Sequence, residues 1–290
     1  MYKSHRMTFL FLLPAIIIFL LFTVYPLLYA LFTSFFDLNY LKGDRFFLGL
    51  ENYKNVLSDQ VFWVAVRNTV LFVLIAVTLE VIVGVIVALL FNVQFKGISI
   101  IRSIVLLPML LPPITVALTW KMMYEYDYGV INYILTSLGL PAIEWLSSPS
   151  WAMISIIITD VWQWTPFVFL IILASLQGIP KELYESAQVN GANAWQCTRF
   201  VTLPLIKPAI FLVLLLRTIE TFQVFEKMYV LTGGGPGNAT ETITFYIYRY
   251  GFKYFETGYA TAATIIMVGI IVILSLGYIY RVMQSVQFSK

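Results

Sequence analysis

Six long apolar stretches separated by short polar segments run along the chain, near 9–33, 68–92, 99–122, 152–176, 207–231 and 259–282. Crossing a hydrocarbon core of about 30 Å takes about 20 helical residues, so the pattern predicts six membrane-spanning helices with both chain ends on one side. The first stretch follows Lys3, His5 and Arg6 and continues apolar to Phe36. A signal peptide has an apolar region of only about 7 to 15 residues and a small-residue cleavage site; neither fits, so 9–36 is read as a helix that stays attached. The third stretch carries Pro108, Pro112 and Pro113 in LLPMLLPPI. Each proline removes a backbone donor, so this span must bend or break where protein surrounds it, whether for function or merely to aid packing.

Composition supports the membrane reading and excludes others. Of 290 residues 60% are apolar and 11% charged, and mean hydropathy is +0.86. A soluble chain of this length would carry roughly 72 charged residues against the 33 present. A disordered chain, a nucleic-acid binder and a disulfide scaffold are thereby excluded. One cysteine, Cys197, and one histidine, His5, cannot build a His or Cys metal cluster. If the ends are cytosolic, the inner segments hold Lys3, Arg6, Lys96, Arg102, Lys181, Arg199, Lys207, Arg281 and Lys290, a modest positive-inside bias.

Four charges fall inside the spans and away from their ends: Glu80, Asp160, Arg217 and Glu220. The fifth stretch has twelve Ile, Leu, Val and Phe residues between 208 and 230, worth about −0.3 to −0.6 kcal/mol each on an insertion scale. Arg217 and Glu220 offset them at about +2.5 to +3.5 kcal/mol each. Such a helix needs its polar face turned to other helices or to a water-filled path. Arg217 and Glu220, three apart, either neutralise each other or mark that path. Glu80, in VLIAVTLEVIVGVIV, reads as a hydrogen bond to a neighbouring helix or as a pathway group. Asp160 is followed by Trp162, Gln163, Trp164 and Phe167. A carboxylate and an amide that bond vicinal hydroxyls beside rings that cover a pyranose is a sugar-binding chemistry; an aromatic belt near a membrane interface is the alternative.

The longest inner loop, IPKELYESAQVNGANAWQCTRFVTLPLIKP, reads as a short helix that Leu203 and Pro204 close, with Ala187 and Gly191 forming a side-chain-poor stripe for a partner's backbone, or as an amphipathic segment resting on the membrane interface. Its order of Glu185, Ser186, Ala187, Gly191, Val201, Leu203 and Pro204 resembles the "EAA" loop of binding-protein-dependent ABC importer permeases, with Ser186 for Ala and Val201 for Ile. The segments MYVLTGGGPGNATETITFYIYRYGF at 228–252, and GVINYILTSLGL at 129–140 with the later EWLSSPSWAM, are similar to carbohydrate permeases of the maltose and glycerol-phosphate type.

The resemblance implies an all-α, polytopic type I importer permease with the MetI-like core at 65–282, a coupling loop near 178–206, and cytosolic ends at 1–8 and 283–290. It implies that Glu185, Ser186, Ala187, Gly191, Leu203 and Pro204 couple the chain to two cytosolic ATPase subunits. Those partners, not this chain, would use ATP and Mg²⁺; no G-x-x-x-x-G-K-[ST] occurs in the sequence. A second permease subunit, expected to be a different chain, and an extracytoplasmic solute-binding protein complete the assembly in a bacterial or archaeal cytoplasmic membrane. The glycine run at 233–235 is expected to turn sharply at the outer face. The implied sugar path runs along Asp160, Gln163, Trp164, Phe167, Glu220, Thr221 and Gln223, with an apolar Val224 where an amide would bond a hydroxyl. An ion-coupled secondary transporter using Glu80, Asp160 and Glu220, or a membrane enzyme, are the competing readings.

Overall fold

A computed structural model describes residues 5–39, 43 and 45–287. Lys3, Lys290 and the outermost residues of the two expected cytosolic ends lie outside them. The described helices are α1 (Phe9–Thr33), α2 (Glu51–Ser58), α3 (Gln60–Phe91), α4 (Ile98–Leu110), α5 (Pro113–Tyr124), α6 (Val130–Ser137), α7 (Pro149–Gln177), α8 (Lys181–Val189), α9 (Ala194–Phe222), α10 (Glu226–Leu231), α11 (Ile243–Tyr248) and α12 (Thr257–Gln287). Five of them are long and apolar enough to cross a membrane, and the bent pair α4–α5 makes a sixth if its two halves count as one span.

The two halves of that pair meet at 93°. Leu111 and Pro112 are extended (ψ 138° and 135°) between them, because a residue before proline is pushed out of the helical region and Pro112 and Pro113 donate no hydrogen bond. The expected break therefore falls within the motif LLPMLLPPI. The fifth span departs from expectation: it ends at Phe222, not 231, and the chain turns through Gln223–Phe225 into α10. Along one continuous helix Arg217 and Lys227 would be about 15 Å apart on different faces; the turn brings both to one carboxylate.

The chain divides into two compact units. In the first, formed by the chain up to Trp63 with Tyr246–Ile270, a short hairpin pairs β1 (Phe36–Leu38) antiparallel with β2 (Arg45–Phe47), Phe36 opposite Phe47. Asn52 Nδ2 donates to the Ser34 and Phe36 carbonyls at 2.9 Å each. A side chain at Gly258 would come within 2.0 Å of the Phe36 carbonyl oxygen, so only glycine fits there. No part of the apolar window of α1 is buried within the protein, as befits a helix facing lipid or another chain.

Asp59, just before α3, ties this unit together. Its Oδ1 accepts the Val61 N–H at 2.8 Å, and its Oδ2 accepts the hydroxyls of Tyr246, Tyr250 and Tyr259 at 2.6, 3.2 and 3.3 Å. Burial acts to raise its pKa, but the Tyr246 hydroxyl, the Val61 amide and the other two hydroxyls together hold the carboxyl below its ordinary value. Burial, then the bond to Asp59, pushes the Tyr246 hydroxyl upward. A carboxyl whose folded pKa is depressed stabilises fully above its unfolded value and loses that contribution as pH falls through the folded one. Asp59→Asn is thus expected to lower the melting temperature at neutral pH, with the gap to the parent closing below about pH 4. Melting curves of the detergent-purified protein from pH 7 to pH 3 check this; a gap constant throughout rejects it.

The second unit, Val64–Phe245 with the chain after Ile270, has a core of Phe72, Ala76, Ala117, Tyr124, Trp145, Ile156, Met228 and Phe245. Helix α7 is its most enclosed span. A Cβ at Gly84 would lie 2.5 Å from Val168 Cγ1; this glycine lets α3 and α7 approach closely, as small residues do between membrane helices. Asn132, inside GVINYILTSLGL, donates to the carbonyls of Tyr126 and Ile143 and accepts from the Ile143 amide and Trp145 Nε1, all within 3.2 Å. One satisfied amide thus fixes the segment between α5 and α7.

Candidate functional site

In the second unit, four elements bring five charges together. Helix α3 supplies Glu80, α7 Asp160, α9 Arg217 and Glu220, and α10 Lys227. The Arg217 guanidinium donates from Nε to Glu80 Oε2 at 2.7 Å and from Nη2 to Glu80 Oε1 at 3.1 Å, a bidentate pair. Its Nη1 reaches Glu220 at 2.8 Å and its Nη2 also reaches Asp160 at 3.4 Å. The other Asp160 oxygen accepts from the Lys227 ammonium. The Trp164 ring lies 4.6 Å under the guanidinium. Glu80, Asp160, Arg217 and Lys227 are each at most 1% exposed. Charges so buried are tolerated only when paired and fully hydrogen-bonded, and this network meets that condition across three spans.

Above the network opens a cavity of about 320 Å³ lined by Asp160, Trp164, Arg217, Glu220, Thr221, Gln223, Val224, Glu226 and Lys227. Thr221, 2% exposed, belongs to the cavity lining, but its hydroxyl oxygen is buried and has no hydrogen-bond partner. Gln223 and Glu226 are exposed. The lining offers carboxylate, amide, hydroxyl and indole groups, a set suited to a polyhydroxylated solute. Among the described residues no three His, Cys, Asp or Glu side chains come together as metal ligands.

Of the residues singled out from the sequence, Asp160, Trp164, Glu220, Thr221 and Gln223 line one cavity, Val224 among them. Gln163 is buried elsewhere, donating to the Leu111 carbonyl at the break between α4 and α5 at 3.0 Å, and Phe167 is half-buried against Trp164. Arg217 does more than neutralise Glu220, because Glu80 holds it in two-point contact. Lys227 is legible in the sequence only as one of the polar residues of the fifth stretch, with no role assigned to it. Its signal is a cation beside Glu226 in an otherwise apolar and aromatic stretch, with Asp160 a lone acid in another span.

The loop at 178–206 also differs from its sequence reading. Helix α8 stops at Val189 and Gly191 lies beyond it with φ +82°. The Gly191 amide donates to Gln188 O at 2.9 Å and the Ala192 amide to Ala187 O at 3.0 Å, a Schellman cap that requires the left-handed conformation glycine adopts freely. Ala187 and Gly191 therefore form no common helix stripe, and a Cβ at Gly191 would meet nothing within 4 Å. Glu185 and Ser186 are exposed and Ala187 half-buried. Asn193 and Gln196 form a reciprocal capping box at the start of α9 (2.9 and 2.8 Å). Leu203 and Pro204 do not close the loop. They open the regular part of α9, where proline fits the first turn. The glycine run turns sharply, with Gly233, Gly234, Gly237 and Asn238 all at positive φ.

The family model described as binding-protein-dependent transport system inner membrane component matches residues 80–285. The trehalose/maltose transport system permease protein MalF of Thermococcus litoralis is 39% identical over 281 residues, covering 96% of this chain and 94% of that protein. The chain is also similar to a chain in the crystal structure of a bacterial ABC transporter involved in the import of the acidic polysaccharide alginate. There the TM-score is 0.85 at 28% identity, covering 97% of this chain and 96% of that one. A second crystal structure, of a bacterial alginate ABC transporter in complex with its alginate pentasaccharide-bound periplasmic protein, gives a TM-score of 0.83 at 27% identity over 95% and 93%.

Proposed function

This chain belongs to the binding-protein-dependent transport system inner membrane components, and we propose that it forms one wall of the solute path of an ATP-driven saccharide importer. The observation that carries the reading is the cavity at the meeting of α7, α9 and α10, where polar groups face open space above a sealed ion network. A second permease, a different chain, would supply the opposite wall. An extracytoplasmic binding protein would deliver the saccharide near the outer glycine turn. Both chain ends would lie on the cytosolic side with α8.

In this proposal α8 is the coupling helix, offering exposed Glu185 and Ser186 to one of two cytosolic ATPase subunits, which bind ATP and Mg²⁺ while this chain binds neither. The motion has a route. The Tyr184 hydroxyl meets the Thr202 hydroxyl at 3.0 Å, and the capping box of Asn193 starts α9, whose far end carries Arg217, Glu220 and Thr221. A displacement of α8 would thus tilt the helix that forms the cavity wall, opening the path alternately to either side.

The coupling reading has a direct test. Any side chain at Gly191 adopts the left-handed region at a cost of about 1–2 kcal/mol and disturbs the end of α8. Gly191→Leu is expected to leave the chain in the membrane and cut ATP-driven uptake in proteoliposomes at least about tenfold, while ATP hydrolysis continues. Glu185→Lys, which strains no backbone, should act in the same direction. Normal uptake by both variants would defeat the coupling role, and uptake driven by an ion gradient with this chain alone would defeat the importer reading.

A further inference from the structure

We infer that the cavity above the ion network admits neutral or amine-bearing saccharides and turns away acidic ones. The inference rests on the solute-path reading of that cavity. Three carboxylates, Asp160, Glu220 and Glu226, and two cations, Arg217 and Lys227, line it. Both cations are already ion-paired and almost wholly enclosed. Arg217 gives Nε and Nη2 to Glu80 and Nη1 to Glu220, and one face of its guanidinium is covered by Trp164. The Lys227 ammonium is held by Asp160, and both cations are 1% exposed.

The charge that does face open space is acidic. The Glu220 side chain is 49% exposed and Glu226 is exposed on the far side of the turn after α9. Ionised carboxylates accept hydrogen bonds and donate none, so they suit hydroxyl donors and attract an ammonium. A uronate, sulfonate or phosphate would need an unspent cationic donor and would meet like charge in a partly desolvated site. Of the remaining polar groups the exposed Gln223 amide can bind hydroxyls, and neither it nor the buried Thr221 hydroxyl carries a charge to offset an anion.

A cysteine at position 223 reads this potential directly. The one native thiol, Cys197, is buried and is replaced by serine. Gln223→Cys is then labelled in the complete transporter in nanodiscs with methanethiosulfonates bearing either a trimethylammonium or a sulfonate group, each rate divided by that for free cysteine. The normalised rates are expected to favour the cation at least about tenfold, and Glu220→Gln with Glu226→Gln should reduce that preference several-fold. Maltose and glucosamine should slow labelling, and glucuronate at the same concentration should not. A ratio near one, a preference for the sulfonate, equal protection by glucuronate, or a thiol that neither reagent reaches would each overturn the inference. A full cation preference with no protection by any saccharide would instead overturn the solute-path reading, and with it the selectivity built on it.

Discussion

Arg217→Met is expected to destabilise the protein by about 3–5 kcal/mol, the cost of removing one partner from a buried ion network. The reason lies in what stays behind. Glu80 is 0% exposed, and Arg217 is its bidentate partner at 2.7 and 3.1 Å. Asp160 would keep Lys227, and the half-exposed Glu220 could turn to water, so the penalty centres on Glu80. Arg217→Lys should recover only part of the loss, because a single ammonium cannot span the two oxygens of Glu80 and still reach Glu220 and Asp160. Glu80→Gln combined with Arg217→Met should be markedly less harmful than the two single effects added, since the amide needs no counter-ion. A coupling of about 0.5–3 kcal/mol is the usual range for contacting groups. Unfolding of the detergent-purified protein, followed across the four proteins of this cycle, gives the answer; a melting temperature unchanged in Arg217→Met would show that the network is not what holds α3, α7 and α9 together.

The sequence made the spans legible because lipid imposes a length and a polarity on them. The five long helices and the bent pair all coincide with apolar runs, and the prolines at 108, 112 and 113 located the break in the third. What it could not show was the early end of the fifth. No glycine or proline marks the turn at Gln223–Phe225, and an apolar average over 207–231 smooths across it. The turn exists because Lys227 must return to Asp160, a contact between positions 67 apart in the chain. Asp160 itself was read from its neighbours as an open sugar ligand, whereas pairing from α9 and α10 takes up both its oxygens. Gly191 illustrates the same limit at short range. The motif singled the residue out, but spacing suggested a helix face where the backbone forms a left-handed cap.

Asp160→Asn is expected to reduce ATP-driven uptake at least about a hundredfold, equivalent to the loss of nearly 3 kcal/mol, while ATP hydrolysis survives. Two different roles would produce that loss, and a second substitution separates them. If Asp160 bonded a sugar hydroxyl directly, no change at Lys227 could restore transport. Its geometry points the other way: it is 1% exposed and engages Lys227 and Arg217, so it acts by holding two cations that shape the cavity wall. Removing the carboxylate strands the Lys227 ammonium, itself 1% exposed, without its counter-ion, and the wall must rearrange to hydrate it. Neutralising both partners removes the stranded charge. Asp160→Asn with Lys227→Met should therefore regain most of the melting temperature and uptake to within about tenfold of the parent. A double variant as inactive as the single one, but with its stability restored, would make Asp160 a direct solute ligand after all. Stability lost in neither variant would remove the ion pair from the account of how α10 is held against α7.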